Sequence, residues 1–233
     1  MTRGIGEHAL VNELLPDWLA VVFGIFTQLG DIWLLSLLLA SLFLLDTPSR
    51  SGVAFVGGAW FAGLGLYRGL KDLLAWPRPS AMPLDPNPAG VVELVYEVTA
   101  FAGGYGFPSG HATSTTIVYV GLASVLTVST ARRRYTAAGT VVALVCLARI
   151  VLGLHYLVDV VAGVTLALTL LFGARALADH RSLDRATVAF AVAIPLAGFY
   201  LVTSGAELEA VLILAASLAG LVGWRRYDST RMA

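Results

Sequence analysis

Charged side chains are scarce in this chain. Asp, Glu, Lys and Arg make up 13% of its 233 residues, about half the share of a soluble domain. Hydrophobic residues make up 58%, and the mean hydropathy is +0.80. So little charge excludes an ordinary soluble domain and points to a chain that crosses a membrane several times. Cysteine occurs once, as Cys146 inside an apolar run, which excludes an intrachain disulfide and reads as a small core residue. Lysine also occurs once, as Lys71, so nearly every basic group is a planar, bidentate guanidinium. Arg3 is not followed by a short apolar core and a small-residue cleavage site, so no cleaved leader is expected and the first long apolar segment serves as the insertion signal. Metal-ligand spacings, nucleic-acid signatures, low-complexity tracts and internal repeats are missing.

What is present is a succession of apolar runs near the length of about 20 residues that a crossing helix needs. The first, 17–45, is broken by Gln28, Gly30 and Asp31. It reads either as one kinked helix or as an interfacial piece followed by a short span. Further spans are expected at 53–75, 111–130, 136–152, 156–177, 187–202 and 208–224. Gly57, Gly58, Gly63 and Gly65 in the second run would allow close helix packing. Residues 76–110 form the longest non-apolar stretch, rich in proline and ending in a glycine-rich, aromatic part. A loop of that length is expected to be functional or disordered, and its middle, 91–101, to form a short helix on the membrane surface. The expected fold is all-α: a polytopic transmembrane helical bundle, one domain over 1–233 with a core of about 53–203.

Charge sets the orientation. The turns at 46–51, 131–135 and 178–186, with Arg175 and the C-terminal tail, hold ten arginines against four acids, so that side reads as cytoplasmic. Most remaining acids, including Asp85, Glu93, Glu97, Glu207 and Glu209, fall on the other side. Seven spans put the N-terminus outside and the C-terminus inside; six result if the first segment only lies on the membrane. In this arrangement the end of the second span, the start of the third, the end of the fourth and the start of the fifth meet on the non-cytoplasmic side. Every unusual polar residue then gathers at one face.

Three segments carry those residues: Lys71 to Pro79, containing Lys71 and Arg78; Pro108-Ser109-Gly110-His111; and Arg149 to Asp159, containing His155. Ionisable groups at a membrane boundary are costly and call for a functional reason. Lys71, Arg78, Arg149 and a histidine around one spot would repel each other without an anion, and phosphate suits them: arginine forks match its oxygens and lysine adds a point charge. Ser109 and Gly110 open a helix, where free N–H groups favour an anion. His155 and Asp159, four apart, share one helix face, so the carboxylate can orient the imidazole. One histidine as nucleophile and another as general acid make a metal-free phosphoryl-transfer site.

Lys71-x6-Arg78-Pro79, Pro108-Ser109-Gly110-His111 and Arg149-x5-His155-x3-Asp159 resemble, in order and spacing, the three signatures of the type 2 phosphatidic acid phosphatase (PAP2) family. The resemblance covers the central third of the chain, 71–159. It implies a bundle of six core spans, shared with soluble vanadate-dependent haloperoxidases, plus one further span here, six or seven in total. It implies that His155 attacks phosphorus and becomes a phosphohistidine, that Asp159 orients it, and that His111 protonates the leaving group and then activates water. Lys71, Arg78, Ser109, Gly110 and Arg149 would hold the phosphoryl oxygens. No metal and no cofactor are expected. One departure is Ala148, where the family usually has serine; the loss of one supporting hydrogen bond is expected there.

The resulting expectation is a multi-pass cell-membrane phosphatase acting on a lipid phosphate or polyprenyl diphosphate at the non-cytoplasmic leaflet. Its partners would be the lipid substrate and the bilayer, with no nucleic acid. A lipid phosphotransferase, a phosphatase of small soluble phosphates and a non-catalytic lipid-phosphate binder are the alternatives. Arg68, one turn before Lys71, either extends the phosphate site or, as favoured here, pairs with Asp72 one turn on, and His8 and His180 are expected to be plain surface residues. Tyr105 and Phe107 are expected either to line the entrance or to pack the loop on the bundle.

Overall fold

The computed structural model describes residues 3–16, 18–45, 50–80 and 103–232. The expected surface helix at 91–101 and most of the turn at 46–51 lie outside them. Among the described residues every regular element is helical. Helices α1 (Glu7–Leu14) and α2 (Leu19–Thr27) are followed by a 3-10 turn (Gln28–Gly30), then by α3 (Ile32–Leu44) and α4 (Arg50–Leu74). After the long connection come α5 (Gly110–Thr115), a π-helical turn (Thr116–Val120) and α6 (Gly121–Val125), which run on without a break. The chain finishes with α7 (Ala131–Val151), α8 (Leu157–Arg181), α9 (Arg185–Thr203) and α10 (Leu208–Met232).

Five of these, α4 and α7 to α10, are long and apolar enough to cross a membrane, and the pair α2–α3, bent by 43° at its break, makes six if counted as one span. The expected third span is shorter than read, ending at Val125 rather than Thr130. Leu126 leaves the helix in an extended conformation, and Ser129 takes a left-handed φ of 66°. Thr130 then caps α7, its side chain accepting the Arg133 N–H at 3.3 Å. The residues expected to end one helix therefore start the next. Arg134 joins the two, donating to the Ala123 and Ser129 carbonyls at 2.9 and 2.8 Å, so a last-turn carbonyl of α6 is satisfied.

Helix α4 is the axis of the bundle: 72% of its apolar window is buried, against 22% for α10. Its closest neighbour is α9. Gly58 and Gly65 make that approach possible, because a Cβ there would stand 2.8 Å from the Phe190 nitrogen and 2.6 Å from the Ala197 nitrogen. Gly57, expected to do the same, faces open space. The outer helices leave large apolar side chains uncovered, Val202 at 80% and Phe172 at 61% exposure, which is the surface a bilayer solvates.

Helices α7 and α8 are joined by a tight turn. Gly153 adopts φ 66°, the left-handed conformation that closes many helices, and the N–H groups of Leu154 and His155 both donate to the Arg149 carbonyl at 3.1 Å. This turn brings the C-terminal end of α7 and the N-terminal end of α8 beside the start of α5.

Candidate active site

A cavity of about 540 Å³ opens at that end of the bundle, lined by Lys71, Arg78, Gly110, His111, Arg149 and His155 among others. Six of the eight residues expected from the sequence thus face one space. The other two, Ser109 and Asp159, are fully buried behind it. Ser109 caps α5, its side chain accepting the Ala112 N–H at 3.4 Å, while its own N–H donates to the Asp159 carbonyl at 2.9 Å. The second and third signatures are therefore tied through backbone. Gly110 has to be glycine, since a Cβ would lie 2.6 Å from the Tyr67 ring. Ala148 is fully buried and offers no hydroxyl beside Arg149.

His155 sits outside the helices, with a side chain only 2% exposed. Its Nδ1 lies 3.5 Å from Asp159 Oδ2, a charge contact without the alignment of a hydrogen bond. The same carboxylate oxygen accepts the Tyr156 N–H at 3.0 Å, closing a capping box at the start of α8. On the other ring nitrogen, Arg78 Nη1 lies 3.1 Å from Nε2. Guanidinium only donates, so Nε2 accepts, and the ring proton belongs on Nδ1, toward Asp159. Burial first, then the charges of Arg149, Arg78 and Lys71, hold the imidazole well below its ordinary pKa. The arrangement is a neutral histidine with its lone pair turned to the basic side of the cavity.

The cations around it rest on backbone carbonyls. Arg78 donates to Gly103 (3.0 Å), Gly104 (3.2 Å) and Leu154 (2.9 Å), and Lys71 donates to Tyr105. These neutral acceptors hold the guanidinium and ammonium in place and are weaker partners than a phosphate dianion. Tyr105 lines the cavity, whereas Phe107 packs on Trp76 with ring centroids 4.6 Å apart, so the two aromatics split between the two expected roles. Arg149 is 2% exposed and its Nη1 donates to Thr27 Oγ1 at 3.0 Å.

That last contact belongs to a set the sequence reading missed. Asp31, at the break between α2 and α3, lines the cavity, and its Oδ1 lies 3.4 Å from His111 Nε2. The second histidine therefore has a carboxylate of its own. The only signal was a charged residue interrupting an apolar run beside Gly30, which reads as a kink and gives no hint of a partner eighty positions on. Arg3 contacts Asp159. Arg68 pairs with Glu209 on α10, not with Asp72, and lies over the Tyr67 and Tyr200 rings at 5.6 and 5.9 Å. His8 is no plain surface residue: its Nε2 is 3.2 Å from the His155 carbonyl oxygen, and its ring packs against Tyr156. His180 is exposed as expected. Among the described residues, no group of three or more His, Cys, Asp and Glu is placed to hold a metal ion.

The family model of the PAP2 superfamily matches residues 52–182. Human sphingosine-1-phosphate phosphatase 2 is 36% identical over 141 residues, which is 56% of this chain and 31% of that protein. The mouse protein of the same name is 35% identical over 141 residues, 56% of this chain and 35% of that protein. The chain thus spans about a third of the length of the curated relatives it matches. In fold, the chain is similar to the crystal structure of a transmembrane PAP2-type phosphatidylglycerolphosphate phosphatase from Bacillus subtilis. The TM-score is 0.59 and the identity 23%, over 75% of this chain and 83% of that one.

Proposed function

The chain belongs to the PAP2 superfamily, and on that premise we propose that it is an integral membrane phosphatase that releases phosphate from a lipid phosphate or polyprenyl diphosphate through a phosphohistidine at His155. The observation that carries the reading is the disposition of His155: Nδ1 toward Asp159 at 3.5 Å, Nε2 toward Arg78 at 3.1 Å, at the wall of a cavity also lined by Arg68, Lys71 and Arg149. A structural histidine has no need of that company.

Lys71, Arg78 and Arg149 take the phosphoryl oxygens, aided by the N–H groups that open α5 at Gly110. His155 Nε2 attacks phosphorus; an N–P bond forms as the bond to the leaving oxygen breaks. His111 gives that oxygen its proton and then takes one from water, which attacks phosphorus and cleaves the N–P bond, returning His155 neutral. The Asp159 carboxylate stabilises the charge that develops on the ring. Asp31 orients His111 and steadies its cationic form.

The names of the relatives and of the structural neighbour favour phosphorylated lipids as substrates. The position of the cavity at helix ends suits a headgroup whose tail stays in the bilayer. The distribution of arginines favours the non-cytoplasmic leaflet of the cell membrane. The test is phosphate release by the purified protein in detergent with excess EDTA, from phosphatidic acid, sphingosine 1-phosphate, a polyprenyl diphosphate and a soluble phosphate ester. Release from a lipid that persists in EDTA, stops with vanadate and disappears in His155→Ala is expected. Undiminished turnover in His155→Ala would overturn the reading.

A further inference from the structure

Asp159 is fully buried, and a buried carboxylate needs a countercharge. Two side chains that can carry positive charge contact it, His155, if protonated, and Arg3, while Lys71 and Arg78 act on it from further off. Arg3 occupies the role by geometry. Its Nη2 lies 3.1 Å from Oδ1 and 3.4 Å from Oδ2, its Nε lies 3.3 Å from Oδ1, and Nη2 also donates to the Pro77 carbonyl at 2.9 Å. The guanidinium is held between the rings of Trp76 and Tyr156, 5.1 Å from each centroid, and the side chain is 16% exposed. One side chain thus joins the segment carrying Arg78 to the helix carrying Asp159.

The stretch around Arg3 is anchored to the same turn. Glu7 Oε1 accepts the Leu157 N–H at 3.0 Å, and His8 reaches the His155 carbonyl. Burial raises the Glu7 pKa, but the backbone N–H groups of Leu157, Glu7 and Ile5 outweigh it and the carboxyl ends below its ordinary value, so it is an acceptor at neutral pH. All of this lies ahead of residue 52, where the family match begins.

We propose that Arg3 is a positioning residue for the His155–Asp159 pair: it neutralises Asp159, so that the carboxylate orients the imidazole without drawing a proton onto it. Without Arg3, the cheapest way to balance the buried carboxylate is to protonate His155, and a protonated ring has no lone pair for phosphorus. The groups facing His155 are Arg78, Arg149, Lys71 and His111 from other segments, with Asp159 four positions on in the first turn of α8 and the His8 ring at its carbonyl. Those facing Asp159 are Arg3 and His155 in contact, with the charges of Lys71 and Arg78 beyond them. The cations around the ring oppose its protonation, and Arg3 acts on the one group that favours it. The catalytic part of this inference rests on the phosphatase reading.

The test combines pH profiles of phosphate release with NMR titration of the His155 ring in histidine-labelled protein in micelles, its signal assigned by its loss in His155→Asn. In Arg3→Ala, kcat falls about tenfold with KM within about twofold, and the acid limb of the rate profile and the His155 titration rise together by about one pH unit. Arg3→Lys recovers part of both, since charge returns without the fork. Arg3→Gln keeps the length without the charge and tracks the alanine variant; it serves if the alanine variant fails to fold. Loss of kcat with an unmoved acid limb and titration would mean packing alone and overturn the proposal, as would unchanged kcat. If the wild type releases no phosphate yet the titration moves, the phosphatase reading fails and the coupling stands. If the wild type is active and the titration does not move, the reverse holds.

Discussion

The two histidine–carboxylate pairs of the cavity are built in opposite ways. His155 and Asp159 lie four positions apart at the start of α8, with side chains 2% and 0% exposed. His111 and Asp31 are eighty positions apart, one opening α5 and the other at the break between α2 and α3, with side chains 23% and 29% exposed. The first pair is sealed, and the cations around it keep the ring neutral. The side chains of the second line the cavity, while the His111 Nε2 that faces Asp31 is itself enclosed. Side-chain exposure thus distinguishes the proposed nucleophile from the proposed acid–base catalyst, though both are the same residue type beside the same kind of carboxylate.

Substitutions can break this division. His155→Ala is expected to cost about 10⁴-fold or more in kcat, since it removes the proposed nucleophile. His111→Ala is expected to cost about 10²–10⁴-fold on a lipid phosphate and far less on an aryl phosphate, whose leaving group needs no proton; equal losses on both substrates would contradict the acid role. Asp31→Asn, which keeps shape and removes charge, is expected to lower kcat about tenfold with the same leaving-group dependence. Thr27→Val removes the hydroxyl under Arg149 and is expected to raise KM about tenfold, the lower end of the worth of one hydrogen bond to a charged group. A fall in kcat with no change in KM would assign Thr27 elsewhere. In pH profiles of kcat/KM, the nucleophile stays unprotonated as the pH falls through the ordinary imidazole value of about 6.5. The ring's acid limb is therefore expected well below that value, and a limb at 6.5 that does not follow the substrate phosphate's own second ionisation, about 6, would mean the ring is not held neutral.

The same contrast explains what could be read without coordinates. His155 and Asp159 read as one face of a helix from their spacing of four; they do meet, but His155 stands ahead of α8 and the extended Tyr156 cap, not a shared face, turns it back toward Asp159. Lys71, Arg78, His111 and Arg149 were legible because ionisable groups at the ends of apolar runs are rare enough to demand an explanation, and Gly110 because it opens a helix. Asp31, Thr27 and Arg3 act through contacts 80 to 156 positions long, which no periodicity encodes. Arg68 was assigned to Asp72 by the one-turn rule, but Glu209 on a different helix took it. Helix type and order followed from hydropathy alone. The end of the third span did not, because Thr130 suits the interior of an apolar run and the cap of the next helix equally well, and the cap won. The first apolar segment was left open between span and surface piece. Its break is where Asp31 enters the cavity, so the feature that made it ambiguous is the one that brings it to the site.

The central claim is that phosphate passes through His155. It is tested most directly by rapid quenching at alkaline pH, where phosphohistidine survives, followed by peptide mass spectrometry. The experiment uses the His111→Ala variant turning over an aryl phosphate: the good leaving group lets the first step proceed while loss of the water-activating group slows the second. The account predicts a phosphoryl group on the imidazole of His155, chased away by time and absent in His155→Ala. Turnover without any phosphorylated peptide, or with the phosphoryl group on another residue, would contradict it.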